Sequence, residues 1–410
     1  MLRAGDMTKS ARNHVEDLRG ASRLAIEATR GVTDLVEEMH HQIASGPGVL
    51  RTLLSHPVRA ISRLVYGSVR GVTKAVGSSI DLALAHLAPF LGESAPGPER
   101  DAVLSALNGV LGDYLQATGN PLAIQMRMRS GGAPLELERE ALRKAFPEAS
   151  GKLLVMAHGS SMSDLQWKRR GHDHGAALGR DLGYTPVYLH YNSGLHISTN
   201  GRAFARLLET LVDQWPAPLE ELTIVGHSMG GLISRSACEV AAVGGQRWLR
   251  KLRNLVCLGS PHHGAPFERA GNLVDVALGI SRYSAPFARL GKIRSAGVTD
   301  MRHGSLRDED WEGRDRFAYG DDLRRPLPLP EGVQCFAIAA STAKVEGGKL
   351  CGDGLVPIGS ALGRHRKPEL TLAFPPQHQW VGLGMSHVDL LSRSEVYEVL
   401  KRWLGPPASA

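Results

Sequence analysis

The feature that most constrains this chain is the turn Gly226-His227-Ser228-Met229-Gly230. It stands between an apolar run, LTIV, and a helix-forming run of small and apolar residues, GLISRSACEVA. Glycines at 226 and 230 let the backbone turn sharply where a side chain would collide with neighbouring backbone. The corner then holds Ser228 in a strained conformation and presents its hydroxyl at a helix N-terminus. Amide groups and the helix dipole favour developing negative charge there.

The surrounding sequence has the rhythm such a corner requires. KLLVMAHG, TPVYLHYN, LTIVGHS, NLVCLGS, VQCFAIAAS and ELTLAF read as strands, with helical patterns near 175–182, 202–214 and 230–243 and a last helix after His387. Ahead of them, LAIQMRMR and APLELER are joined by Ser130-Gly131-Gly132, a hairpin signal. Strands alternating with crossover helices predict an α/β fold: a mostly parallel sheet with helices on both faces and an antiparallel hairpin at its edge. The unit runs from 119 to 410, with an inserted cap at about 265–332. The cap contains two short amphipathic patterns, FERAGNLVDVALGIS and APFARLGKI. A gating lid and a rigid cover are both open readings of it.

Residues 1–118 form a helical N-terminal extension in this reading, an amphipathic hairpin plus one further helix over 101–115. Within the hairpin, 51–74 carries Arg51, Arg59, Arg63, Arg70 and Lys74 and no acidic residue. A basic amphipathic helix either packs on other helices or lies on an anionic membrane or lipid droplet, so residues 51–91 are a candidate peripheral contact.

A serine hydroxyl at neutral pH needs a base, and the base needs a carboxylate behind it. Asp353, in CGDGLVP after VQCFAIAAS, and His387, in MSHVDL after the last strand, complete the order Ser, Asp, His expected at the carboxyl ends of successive strands. His262, His263, His378 and Asp389 compete but lack both order and placement. For the oxyanion, the backbone N–H groups of Met229 and Ser160 are the candidates, the latter in His158-Gly159-Ser160-Ser161 after the first parallel strand.

From about residue 120 onward, HGSSMSDLQW, GHSMGG, LGSPHHGAP and DGLVP resemble α/β-hydrolase-fold lipases and esterases. They are similar to bacterial triacylglycerol lipases and to the group typified by glycosylphosphatidylinositol inositol-deacylase. The resemblance implies a carboxylic-ester hydrolase using Ser228, Asp353 and His387, with Ser160 and Met229 as oxyanion donors and His158, Gly159, Gly226, His227 and Gly230 as motif support. Its expected substrate is a lipid or other apolar ester. A thioesterase and an intracellular polyester depolymerase would use the same triad. A lipid-surface or membrane-binding protein with a vestigial hydrolase domain is the alternative of another class. The long N-terminal extension is outside the resemblance.

Composition narrows the partners. The 410 residues carry 48 Lys+Arg against 41 Asp+Glu, and aromatics are 5%. No dense basic tract interleaved with aromatics marks a nucleic-acid surface. The four cysteines, Cys238, Cys257, Cys335 and Cys351, lie far apart and read as buried free thiols, which favours a reducing compartment. With no signal-peptide pattern and no spanning run, the expectation is a cytoplasmic protein, soluble or peripheral at a lipid surface. Gly171-His172-Asp173-His174-Gly175 resembles a metal cluster only superficially and reads as a helix cap by Asp173. No metal and no cofactor are expected.

Overall fold

The computed structural model describes residues 98–265, 295–314, 322–344 and 352–406. The amphipathic hairpin, with the candidate lipid contact at 51–91, lies outside the described residues, as do both amphipathic cap patterns and Cys351. No helix among the described residues is long and apolar enough to cross a membrane.

Eight strands form one sheet. They are β1 (Arg127–Ser130), β2 (Ala133–Pro134), β3 (Lys152–Ala157), β4 (Thr185–His190), β5 (Glu221–His227), β6 (Leu252–Leu258), β7 (Gln334–Ser341) and β8 (Gln379–Leu383). The spatial order is β2-β1-β4-β3-β5-β6-β7-β8. β3 to β8 run parallel, and the β1–β2 hairpin joins β4 antiparallel at one edge. This is the expected architecture. The helices are α1 (Pro98–Ala117), α2 (Arg139–Ala145), α3 (His174–Leu182), α4 (Ile197–Gln214), α5 (Met229–Gly244), α6 (Ala296–Asp300), α7 (Ile358–Ala361) and α8 (Ser394–Leu404).

Both faces of the sheet are covered, and the period-2 geometry of the strands sorts the core into two layers. Leu153, Val155 and Ala157 of β3 meet Phe204, Leu208, Leu232 and Ile233 of α4 and α5. The alternate residues Leu154 and Met156 meet Leu178 of α3 and Val396, Val399 and Leu400 of α8.

One strand was placed wrongly. ELTLAF pairs with no strand: Pro368–Leu370 is a 3-10 turn and the segment after it is irregular, while the last strand is QWVGL at 379–383. Leu370, Leu372 and Phe374 are buried and Thr371 and Ala373 exposed. Alternation marks an extended chain with one buried side whether or not a ladder pairs it, and here Leu372 N is held by the Gly363 carbonyl at 2.8 Å.

α1 also differs from its amphipathic reading, since every residue from Val103 to Gly112 is buried. The amide of Asn108 is satisfied inside the protein. Asn108 Nδ2 donates to the carbonyls of Leu104 and Leu122, and its Oδ1 accepts from Ile124 N. Gly109 and Gly112 let the helix approach the loops after β3 and β4. A Cβ on Gly109 would fall 1.9 Å from Ser161 Oγ and 2.9 Å from Ser161 Cα.

Burial makes the interior sensitive to acid. His158 and His174 are lowered to about 4 and His190 to about 2, while His227 and His262 lie well below their ordinary value, desolvation being the largest cause in each.

Two expectations follow for stability. Gly to Ala in a helix ordinarily stabilises by about 0.5–1 kcal/mol. Gly109→Ala should reverse that sign and destabilise by about 1–3 kcal/mol in urea unfolding, because Ser161 has no room to retreat; a gain would refute the packing. Second, the five histidines are neutral when folded and take up protons on unfolding below pH ~6.5, so the unfolded chain binds more protons and stability falls as pH drops. Unfolding free energies from urea denaturation should fall steeply between pH ~6.5 and ~5, by ~1 kcal/mol per pH unit for each histidine. A flat profile would contradict the burial.

Candidate active site

Ser228 sits between β5 and α5 with φ 53° and ψ −121°, one of three non-glycine residues at positive φ among those described. Such a conformation persists only where the surroundings fix it. Ser228 N donates to Leu258 O at 2.8 Å. A Cβ on Gly226 would fall 2.5 Å from Gly231 N, and one on Gly230 would fall 2.2 Å from Ala157 O and 2.7 Å from His158 O. The two glycines are therefore required by backbone on both sides, as the motif led us to expect.

His387 and Asp353 come together although 34 residues separate them. His387 Nδ1 donates to Asp353 Oδ2 at 2.7 Å, and His387 N donates to the Asp353 carbonyl at 3.0 Å. The other carboxylate oxygen accepts from Leu355 N at 2.9 Å and Val356 N at 2.8 Å. Both side chains are buried. A proton fixed on Nδ1 leaves the lone pair on Nε2, the form a general base needs. The imidazole packs on Gly259, where a Cβ would fall 3.1 Å from Cε1 and Nδ1; Gly259 follows Leu258, which holds the Ser228 amide. On its other side lies His227, with ring centroids 4.6 Å apart. His227 Nε2 donates to the His387 carbonyl at 3.2 Å.

The loop after β3 closes over the elbow. A Cβ on Gly159 would fall 3.1 Å from Ser228 Cβ. His158 stacks on Tyr191 with centroids 4.3 Å apart, and Tyr191 Oη donates to the His158 carbonyl at 2.8 Å. Ser161, at φ 59°, donates its N–H to Ser193 Oγ at 2.9 Å. Ser160 lies in this loop, and Met229 is the first residue of α5 after the elbow. Tyr191 and Ser193 were not singled out from sequence; their signal is position, just past the end of β4 at the same sheet edge. Arg129 was also missed. It donates to Asp164 Oδ1 at 2.9 Å and Asp101 Oδ2 at 2.7 Å, tying β1 to α1 and to the end of the Ser160 loop. Desolvation, opposed by Arg129, leaves the Asp164 carboxyl raised to about 6.

Other serine, histidine and acid groupings serve other purposes. Ser105 Oγ lies 3.4 Å from His190 Nε2, but His190 Nδ1 faces Arg129 Nη1 at 3.0 Å. A guanidinium can only donate, so Nδ1 accepts and Nε2 carries the proton, the wrong tautomer for a base acting on Ser105. Asp389 is taken by Ser386 and Arg170, His378 by the Cys335 carbonyl and His263 by the Gly363 carbonyl. Asp173 caps α3 by accepting from Ala176 N at 3.0 Å. Among the described residues no group of three or more His, Cys, Asp or Glu could hold a metal ion. Cys238, Cys257 and Cys335 are free and buried.

The described cap residues are pinned beside this site. Asp300 accepts from His196 Nδ1 at 3.0 Å and from Ile197 N at 2.8 Å, and Ser295 Oγ donates to Gly109 O at 2.7 Å. A Cβ on Gly297 would fall 3.3 Å from Met229 Cε.

Residues 192–337 match the family described as PGAP1-like alpha/beta domain. No curated protein matches the chain significantly. Among solved structures the chain is similar to the mature form of the Bacillus licheniformis lipase BlEst2, at 16% identity over 62% of this chain and 92% of that one, TM-score 0.40. It is similar to a thermophilic esterase at 14% identity, covering 62% and 89%, TM-score 0.35, and to a Pyrococcus furiosus esterase at 15%, covering 62% and 84%, TM-score 0.34. The sheet order and the strained elbow above give the chain an α/β-hydrolase-like fold, and its 192–337 segment is similar to the PGAP1-like alpha/beta domain.

Proposed function

We propose that this lipase/esterase-like protein is a serine hydrolase that cleaves carboxylic esters with an apolar acyl chain. The observation that carries the reading is the 2.7 Å bond from His387 Nδ1 to Asp353 Oδ2, with Asp353's second oxygen held by two amides. An acid so fixed orients the imidazole and stabilises the imidazolium that forms when the base takes a proton. Ser228 Oγ attacks the ester carbonyl as His387 Nε2 accepts its proton. The tetrahedral oxyanion is held by Ser160 and Met229 N–H, and the protonated His387 then gives its proton to the departing alcohol. Water attacks the acyl-enzyme by the same route in reverse, which releases the acid and restores Ser228.

Ser228→Ala should lose at least ~10³-fold in kcat on p-nitrophenyl esters, and covalent labelling by a fluorophosphonate should disappear with it. Wild-type turnover surviving in Ser228→Ala, or an adduct elsewhere, would sink the assignment. Asp353→Asn keeps the shape of the acid but reverses its donor pattern, because an amide nitrogen at Oδ2 stabilises the Nδ1-unprotonated ring. It should cost up to ~10⁴-fold in kcat with little change in KM. A loss confined to KM would argue that Asp353 shapes the pocket and leaves the base alone.

A further inference from the structure

Two turns along α5 from Ser228, the chain buries an arginine for which the proposed reaction has no use. Arg235 is 4% exposed. Its Nη2 donates to the Leu327 carbonyl at 2.6 Å, its Nη1 faces His262 Nδ1 at 3.3 Å, and its Nε has no partner. Because the guanidinium only donates, His262 Nδ1 is the acceptor and Nε2 carries the proton. That N–H is likewise buried and without a partner. Each buried donor without an acceptor carries a desolvation cost that no hydrogen bond repays, so their coexistence points to a missing acceptor.

Both residues line one cavity of about 20 Å³, at the junction of α5 with residues 304–310 and 324–327. That is room for a single water-sized or halide-sized occupant. The charge around it is unbalanced. Arg324 lines the cavity too, donating to the His262 carbonyl at 3.1 Å and the Gly304 carbonyl at 2.9 Å, and its counter-charge is Asp322 at 2.7 Å. Arg325 adds a further positive charge. Asp310 also lines the cavity, where its Oδ2 accepts from the amides of Leu306 and Arg307. No carboxylate of the described residues forms an ion pair with Arg235. The thiols whose fields reach it supply no charge: burial pushes Cys257 and Cys335 up to about 12 and raises Cys238 as well. Desolvation lowers Arg235 only to about 10, so it stays charged at neutral pH.

We propose that this cavity is a binding site for a small monovalent anion, chloride in ordinary buffers, which accepts from Arg235 and His262 and ties the nucleophile helix to the base of the cap. An occupant of that kind supplies acceptor capacity and negative charge together, whereas a water supplies only the first.

The full chain should melt about 2–4 °C higher in sodium chloride or bromide at about 0.2 M than in sodium methanesulfonate of equal ionic strength, saturating with halide concentration. In Arg235→Met, which keeps the length of the buried side chain, the difference between salts should vanish. Equal melting of wild type in the two salts, or a halide increment that survives in Arg235→Met, would overturn the proposal. Should that variant not fold, wild-type crystals soaked in bromide decide the matter: an anomalous peak within hydrogen-bond reach of Arg235 supports the site, and ordinary water density there refutes it.

Discussion

The left-handed backbone of Ser228 is the constraint from which the rest of the site follows. It is sustained because Gly230 rests on the carbonyls of Ala157 and His158, so the elbow after β5 and the loop after β3 are a single packed unit. β3 and β5 are adjacent and in parallel register, Ala157 beside Gly226. Parallel strands in register end at the same edge, which is why the residues that follow them collect there. Ser160 follows β3, Ser193 follows β4, Gly259 follows β6 and His387 follows β8. A side chain at 230 would push the β3 loop, which carries Ser160, away from the elbow.

What was legible in the sequence was what is encoded locally. Gly226-His227-Ser228-Met229-Gly230 carries its own backbone demand, and the runs that became β3, β5, β6 and β7 are so apolar that only a doubly covered sheet can take them. Asp353 and His387 were legible by order along the chain, because each follows a strand. The last strand was not. QWVGL is short and follows two prolines, whereas ELTLAF alternates cleanly, and alternation reports burial on one side of an extended chain without reporting a partner. The role of α1 was hidden for a related reason: period shows which residues can share a face but not that a second surface covers the opposite one. Only the approach of Gly109 to Ser161 and of Gly112 to Asn192 reveals it. Arg129 carries no pattern at all, and its ties to Asp101 and Asp164 are visible only once three distant segments are brought together.

Six of the described histidines are buried, and their surroundings separate them by role. His158, His174, His190, His227 and His262 are bonded to backbone carbonyls, to other imidazoles or to arginine, and burial keeps them neutral. Of the six, His387 alone has a carboxylate partner among the described residues. A general base must become cationic during the reaction, and in a water-poor interior it can do so only where a fixed negative charge stands behind it. The other five lack that support, which argues for His387 as the base independently of its place in the chain.

The segment that resembles a known family ends at residue 337, between the elbow and Asp353. It contains Ser193, Ser228 and the described part of the cap, and it excludes α1, the Ser160 loop, Asp353 and His387. Yet α1 is wedged against Ser161 and Asn192, and its Gly109 carbonyl accepts from Ser295 at the edge of the cap. A helix so placed lies against the loops after β3 and β4 and against the edge of the cap. In the proposed reaction the elbow, the acid and the base carry the transition-state chemistry, and the acyl chain that fits is set by whatever lines the space above Ser228. On that reading α1, which lies outside the matched segment, contributes to substrate choice together with the cap, which lies inside it.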